Sequence, residues 1–503
     1  EGDAQGCRLE NGAVKMPDGF AAAYAELAEG GWQGLTAPET FGGMAQNQLV
    51  AAAVSEIFSG ANHAMQMVCN LVPGAVATLL RFGSEAQQQT WIPRLAAGEA
   101  LSTMCLTEPG AGSDLTRVRC KAEKVGNGWA ITGEKIFISG GDQDMSDDIL
   151  HLVLARTGTR EEGIKGLSLF LTGKKAAGRT ISITRIEEKL GLHASPTCQM
   201  AFDGTPAQLV GEEGAGLAAM FTVMNHARID VALQGVAHAS RAHDIARSYA
   251  DERVQGRRPD GSEAVLSDHA DVRRMLVQMR AETYAARAIS LACSTAIDMA
   301  GATGDKGWKA RAAFLTPIAK SYGTDTGIKV AELGVQVHGG MGFIEETGAA
   351  QYSRDVRVTA IYEGTNGIQA MDLVGRKMMD GGEAMNALLD EVEAHAEGLR
   401  ATLPDLAEPV WQASETLRET VEALIGTSDL NERFAGAVPF LMGFARVLGG
   451  HFHLKAAEAD GADSARGRLA RFYIERLLPE HASLLEQSRA GAAALYALSP
   501  EDL

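Results

Sequence analysis

The feature that most restricts the fold is a change of hydrophobic period along the chain. Up to about residue 101 the apolar residues recur at three- and four-residue spacing, as on one face of a helix. Residues 21–27 are Ala-rich, and 49–58 and 65–82 carry the helical spacing. The run GWQGLTAPETFGG at 31–43 is punctuated by Gly and Pro, as a loop is. Near residue 101 the texture switches. Short β-prone runs lie at 101–106, 121–125, 129–135, 149–155, 167–171, 181–186 and 199–202, separated by Gly, Asn and Asp. Short strands at such close spacing predict a small β-barrel or sandwich. From about 214 the helical period returns, over 217–253, 268–300 and 310–337. The insert QGRRPDGSEAVLS at 255–267 breaks it, and HGGMGF at 338–343 reads as a Gly-rich hinge. A further helix is expected from Glu363 to about 379. Asp380-Gly381-Gly382 reads as a linker, followed by helical stretches near 383–402, 411–426, 430–458 and 464–498. Pro404, Pro409, Pro439 and Pro479 bend or bound them. The order predicts a mainly α chain with an inserted β domain, divided as 1–101, 102–213, 214–379 and 380–503. The β block can offer a wall to a planar ligand. The last portion has no concentration of chemically suggestive residues, so packing or assembly is its default role.

At 503 residues the chain exceeds one ordinary core. Hydrophobic content of 46% and charged content of 22% indicate a soluble globular chain. A net charge of -18 argues against nucleic acid or an acidic membrane as partner. A phosphorylated ligand held by a local basic cluster stays open. The six cysteines are scattered, without a CxxC pair or metal-ligand spacing. They read as reduced structural thiols of a cytoplasmic protein, and no metal site is expected. No run is long and apolar enough to span a membrane, and no signal peptide is evident. The chain opens at Glu1 with half-formed helical patterns and reads as lacking an N-terminal segment.

Chemistry concentrates in a few stretches. In RDVRVTAIYEGTNGIQ (354–369) an acid, Glu363, follows Ile361 and Tyr362 and precedes Gly-Thr-Asn-Gly. That order suits a carboxylate base at the edge of an apolar pocket, where burial raises its pKa toward proton abstraction. It also suits a plain helix start. MCLTEPGAGSD (104–114) ends a strand in a Thr and a Gly-rich loop. Thr107 and Ser113 can donate to a polar heterocycle, and Gly110 and Gly112 can expose backbone N–H groups. A decorated β-turn is the alternative. KIFISGG (135–141) can set a ring, Phe137, against a flat ligand with Ser139 at its edge, or can bury Phe137 in a core. EEKLGLHASPT (187–197) is a polar loop. MNHAR (224–228) puts Asn225 and Arg228 on nearby helical turns, facing a ligand or an ion-pair partner. Arg253 with Arg257 and Arg258 is a solvated face or a pyrophosphate clamp. In QVHGGMG (336–342), Gly339 and Gly340 permit close backbone approach.

Taken together and in order, these stretches resemble the acyl-CoA dehydrogenase flavoenzyme family over about residues 31–377. The family fold is an N-terminal helical domain, a middle β-barrel domain and a C-terminal four-helix bundle. The extra helical tail, its ending EQSRAGAAALYAL, the insert QGRRPDG and DHADVRRML are similar to the larger subgroup that contains 3-methylmercaptopropionyl-CoA dehydrogenase. The resemblance implies that Glu363 is the base taking the α-proton of an acyl thioester. It implies that residues 104–113, with Met104, Leu106, Thr107, Gly112 and Ser113, line the FAD isoalloxazine, flanked by Phe137 and Ser139. Arg253, Gln336, Gly339 and Gly340 would reach the FAD of a neighbouring subunit, and Thr365 and Gly367 the FAD phosphates. Ser113, Ser195, Asn225, Arg228 and Gly364 would lie along the acyl-CoA. Two departures stand out. Phe137 occupies a position where many relatives have Trp, and Gln255-Gly256 stands where an aromatic-Gly pair is usual.

By the same resemblance, the base's own backbone N–H and a flavin ribityl hydroxyl stabilise the developing enolate. The β-hydride passes to FAD and a trans-2-enoyl-CoA remains. The implied electron acceptor is an electron-transfer flavoprotein. The added helical tail implies a homodimer, with a homotetramer as the alternative. Substrates in view are short or medium acyl-CoA and 3-methylthiopropionyl-CoA. The rivals are an acyl-CoA oxidase using O2 and a non-catalytic acyl-CoA or flavin-binding module. A nucleic-acid-associated member of the fold is disfavoured by the charge of -18.

Overall fold

The computed structural model describes residues 1–502. The chain separates into two compact units, residues 1–230 and 231–503. In the first, a short helix α1 (Gly2–Gln5) and a hairpin, β1 (Arg8–Glu10) with β2 (Ala13–Lys15), precede helices α2 (Phe20–Glu29), α3 (Gln48–Cys69), α4 (Leu71–Phe82) and α5 (Glu85–Ala96). That hairpin is the β exception in a first segment expected to be mostly helical. α3 starts at Asn47, whose side chain caps Val50 N, and α5 starts at a Ser84–Gln87 capping box.

The β block holds β3 (Ala100–Cys105), β4 (Lys121–Val125), β5 (Gly128–Ser139), β6 (Asp148–Arg156) and β7 (Leu167–Gly173). A short helix α6 (Lys174–Ala177) leads to β8 (Ile181–Ile186) and β9 (Thr197–Val210). The pairings β6–β4, β4–β5, β5–β9, β9–β7 and β7–β6 close a ring, the barrel of the two forms, barrel or sandwich, that the strand spacing predicts. β3 adds to β6 in parallel, in register Ala100↔Asp148 to Cys105↔Val153, and β8 adds to β9. Every residue of β6 is buried, so it shows no alternation and reads as one apolar run.

α7 (Gly216–Glu252) carries the chain from the first unit into the second. There the insert after Arg253 is a hairpin, β10 (Val254–Arg257) with β11 (Glu263–Val265), where the sequence predicted only a break. α8 (Ala270–Thr303), α9 (Lys306–His338), α10 (Ala349–Val356) and α11 (Asn366–Val374) follow. α11 stops at Gly375, short of the expected end near 379. At Gly235 of α7 a Cβ would lie 2.2 Å from the Gly323 carbonyl oxygen of α9, so these helices touch backbone to backbone. Gly235→Ala is expected to destabilise the second unit by about 1–3 kcal/mol through overpacking, read as a lower denaturant midpoint at unchanged slope.

The extension consists of α12 (Glu383–Leu399), α13 (Pro404–Gly426), α14 (Leu430–Ala435), α15 (Ala437–Asp460), α16 (Ala465–Arg476) and α17 (Glu480–Ser488). α13 begins at Pro404, earlier than expected, because Pro is well suited to a first helical turn. Its buried axis is α15, which packs on α8, α11, α13, α16 and α17. A buried network ties α15 to the bundle. Arg446 donates to Glu282 at 2.8 and 3.1 Å and to the Tyr322 hydroxyl at 3.0 Å. Lys329 and Glu480 extend the network, at 2.8 Å to Glu282 and 2.7 Å to Arg446.

Among the described residues no single helix is long and apolar enough to cross a membrane; the bent pair α3–α4 reaches that apolarity only jointly. No group of three His, Cys, Asp or Glu among them is placed to hold a metal. All six cysteines are free thiols.

Candidate active site

In the first unit, β3 delivers the loop 106–114. Leu106 is buried, Met104 and Thr107 are half-buried, and Gly110, Gly112 and Ser113 are exposed. A Cβ at Gly110 or Gly112 would meet nothing within 4 Å, so a flat group can lie against the outer backbone. The inner side is tied down. Glu108 and Ala111 exchange backbone hydrogen bonds of 3.1 and 3.0 Å. The Glu108 carboxylate accepts from the backbone N–H groups of Arg119 and Cys120 at 2.7 and 3.0 Å and from Lys135 Nζ at 2.8 Å. The same ammonium donates to the Leu106 carbonyl at 3.0 Å.

Just beyond Lys135, β5 carries a bulge. Its register on β9 passes from Lys135↔Met200 to Ile138↔Cys198, leaving Ile136 and Phe137 against the single residue Gln199. Phe137 absorbs the extra length at φ 59°, and its ring is 60% exposed. Bulges re-aim side chains, and a left-handed non-glycine residue costs about 1–3 kcal/mol. The core alternative for Phe137 is thereby excluded. Ile136 N donates to the Thr107 carbonyl at 2.9 Å, which joins loop and bulge into one surface ending at half-buried Ser139.

Ser195 lies deeper. It is fully buried, and among the described residues its hydroxyl has no hydrogen-bond partner. Its carbonyl accepts from Lys189 Nζ at 2.9 Å. Asn225 is exposed on α7 and accepts at 3.3 Å from buried Arg228, which lies 6.0 Å from the Phe221 ring. Other residues of the same helix turns, His226 and Asp230, line a cavity of about 50 Å³ with Trp32, Ser55, Phe58 and Gln66. Burial pushes the Asp230 carboxyl up to about 7 against a hydrogen bond from Ser55, and burial lowers His226.

In the second unit, Glu363 follows the turn 357–360 in the left-handed region, φ 55°, and Gly364 continues it at φ 84°. Glu363 is half-buried, and Ile361 beside it is 53% exposed. The turn is held from several sides. The Tyr362 hydroxyl donates to Gln234 Oε1 on α7. Buried Gln369 donates to the Glu363 and Gly364 carbonyls at 3.3 and 3.5 Å. Thr365 caps α11 by accepting from Ile368 N at 3.3 Å. Asn366 donates to Asp325 at 2.7 Å and accepts from Lys320 Nζ at 2.9 Å. Burial raises Asp325, which the Asn366 bond opposes. Glu363, Gly364, Thr365 and Gly367 thus share one turn, and a Cβ at Gly367 would meet only the Thr365 hydroxyl, at 3.9 Å.

Gln336, Gly339 and Gly340 are exposed together at the end of α9, and nothing lies within 4 Å of a Cβ at either glycine. Beside them Met341, Phe343 and Ile344 present 47, 84 and 45% of their surface. Arg253 is exposed where α7 passes into the β10–β11 hairpin. Glu108, Lys135 and Asn366 sit inside recognisable motifs, yet the sequence did not mark them as supports. Gln234 and Lys320 carry no local signal at all, because their partners are distant in the chain.

Family models match nearly the whole chain: acyl-CoA dehydrogenase N-terminal domain over 8–99, middle domain over 103–205 and C-terminal domain over 214–379, and acetyl-CoA dehydrogenase C-terminal like over 388–499. A 3-methylmercaptopropionyl-CoA dehydrogenase of Ruegeria pomeroyi is 42% identical, over 94% of this chain and 84% of its own length. A butyryl-CoA dehydrogenase of Syntrophomonas wolfei is 31% identical, over 93% and 84%. The FAD complex of a Bacillus anthracis acyl-CoA dehydrogenase superposes with TM-score 0.79 at 23% identity, covering 93% of this chain and 82% of that one. That last likeness extends the shared fold through the helical extension.

Proposed function

The chain belongs to the acyl-CoA dehydrogenase family of FAD-dependent oxidoreductases, and on that premise we propose that it converts an acyl-CoA thioester to the trans-2-enoyl-CoA with Glu363 as base. The observation that carries this reading is the held turn at 361–367. A carboxylate on a left-handed residue, pinned through Tyr362, Gln369 and Asn366, keeps one position beside exposed apolar Ile361. Preorganisation of this kind turns a weak base into an effective one.

The residues present fit FAD. Phe137 projects from its bulge beside the open backbone of Gly110 and Gly112, and Thr107, Ser113 and Ser139 offer polar partners for a heterocycle edge. Met104 and Leu106 support the same wall. Thr365 and Gly367, at the start of α11, suit phosphate oxygens. When bound, FAD supplies the two-electron acceptor for the β-hydrogen. Glu363 moves the α-proton from its fixed place on the turn. Gly364, Ser113, Ser195, Asn225 and Arg228 are the residues we assign to acyl-CoA. The likeness to proteins named for 3-methylmercaptopropionyl-CoA and butyryl-CoA favours a short chain, or one ending in a heteroatom, over a long alkyl tail. We assign Arg253, Gln336, Gly339 and Gly340 to the cofactor of a second copy in a homodimer. The exposed Met341, Phe343 and Ile344 support that assignment. An electron-transfer flavoprotein is the proposed acceptor.

The test is anaerobic titration of the flavin-loaded protein with propionyl-, butyryl-, 3-methylthiopropionyl- and octanoyl-CoA. Bleaching of the flavin band by the short thioesters is the expected result. Bleaching by octanoyl-CoA alone would remove the short-chain assignment. Rapid peroxide formation in air would make the protein an oxidase, and bound flavin that no thioester bleaches would make it a binding module.

A further inference from the structure

We infer that the buried Glu108–Lys135 pair is a positioning device. It sets the loop 106–113 against the Phe137 bulge, so that both meet the flavin in one fixed relation. The inference rests on the cofactor assignment above and adds residues which that assignment does not contain.

Neither group faces the outer surface of the site. Lys135 is 0% and Glu108 5% exposed. Their bonds run to the three segments that meet under the loop. Lys135 belongs to β5, and its ammonium holds the Leu106 carbonyl at 3.0 Å and Glu108 at 2.8 Å. Glu108 reaches onward to the backbone N–H groups of Arg119 and Cys120. The loop, the strand that bears Phe137 and the segment entering β4 are therefore joined at one carboxylate. The only other polar tie described above between loop and bulge is the 2.9 Å bond from Ile136 N to the Thr107 carbonyl.

The position of the pair in the strand adds to this. Lys135 is the last residue in regular register before the bulge, paired with Met200. Movement of Lys135 therefore moves Phe137 with it. A buried ion pair is weak evidence for stability, since apolar replacement of both partners is often neutral, whereas loss of one partner strands a charge. Its better-attested use is to fix register. Here the registered elements are the two that carry the proposed flavin contacts.

The experiment compares Glu108→Gln, Lys135→Met and the double variant E108Q/K135M with the parent protein. It reads thermal stability of the apoprotein, dissociation constant of added FAD, and flavin midpoint potential in the reconstituted protein. Each single variant is expected to lower apoprotein stability. The double variant is expected to recover most of that stability while still binding FAD about tenfold to a hundredfold more weakly than the parent and with a displaced potential. A double variant with parental FAD affinity and potential would overturn the positioning role and leave the pair purely structural. A double variant as unstable as the singles, with FAD affinity falling only in proportion to the folded fraction, would also overturn it. Failure of the cofactor assignment itself is distinguishable, because Phe137→Ala and Gly112→Val would then leave FAD binding unchanged in the otherwise parental protein.

Discussion

Glu363→Gln is expected to lower turnover by about 10²- to 10⁴-fold, the usual contribution of a positioned general base. The fold and the bound flavin should be unchanged. Gln has the shape of Glu and keeps hydrogen-bonding capacity but cannot take a proton at neutral pH. The turn should survive, because its fixed points are the bonds made by Tyr362, Gln369 and Asn366. The left-handed φ of 55° makes the same demand on Glu and Gln. The measurement is single-turnover flavin reduction by the best thioester from the panel, beside substrate affinity of the oxidised enzyme. A loss confined to the reduction rate marks an interaction of the transition state, whereas a loss confined to affinity would remove Glu363 from the chemistry. Asn366→Ala should give a smaller loss of the same kind, since it loosens the turn without removing the base.

Arg446→Met is expected to destabilise the second unit by about 3 kcal/mol at neutral pH, the low end for a broken buried ion pair, because it leaves the buried Glu282 carboxylate with Lys329 as its remaining cation. Burial alone would push Glu282 up, but Arg446 and Lys329 outweigh it and hold it at about 2. The unfolded carboxylate titrates near about 4.3. The native value is therefore depressed, so the parent protein has this contribution in full above the unfolded pKa. It loses the contribution as pH falls from about 4.3 toward about 2. In the variant only Lys329 still opposes burial, so the folded carboxyl gains a proton more readily than it does in the parent. The stability gap between parent and variant should therefore be widest near neutrality and narrow on acidification. Urea unfolding of both proteins at neutral pH and near pH 4 reads it. A gap that widens in acid would mean that Glu282 is not the group left uncompensated. Replacing both partners, as E282L/R446M, should restore most of the loss.

The sequence exposed those elements that bury one face, because burial imposes a period. The long helices and the inner strands were legible on that ground. The β1–β2 and β10–β11 hairpins were not, since Arg8–Glu10 and Val254–Arg257 are exposed at every residue and no apolar alternation is required of them. α11 ends at Gly375, earlier than its apolar pattern implies, at a place where a side chain would meet the Met371 carbonyl oxygen at 2.9 Å and the Phe434 ring at 3.2 Å from its Cβ. The site divides in the same way. Glu363, Thr107 and Phe137 were visible as side chains in suggestive company. The left-handed backbone of Glu363 and Phe137 was not visible, because it comes from a bulge and from bonds to residues many tens of positions away. Nor was the depth of Ser195, which sits under its own loop.

The closure of the barrel has a consequence for how this chain can fail. A ring joined through β6 and β7 leaves β3 and β8 as the outlying strands, each paired with one neighbour of the ring. Unpaired strand edges are where other chains attach and where strands exchange between copies. β3 is buried along almost its whole length, whereas β8 exposes Ser182, Thr184 and Arg185 to solvent. Aggregation of partly unfolded protein should therefore begin at the face that carries β8. An edge that carries charge resists such growth, so Arg185 acts as a gatekeeper against a hazard that the folded enzyme never displays.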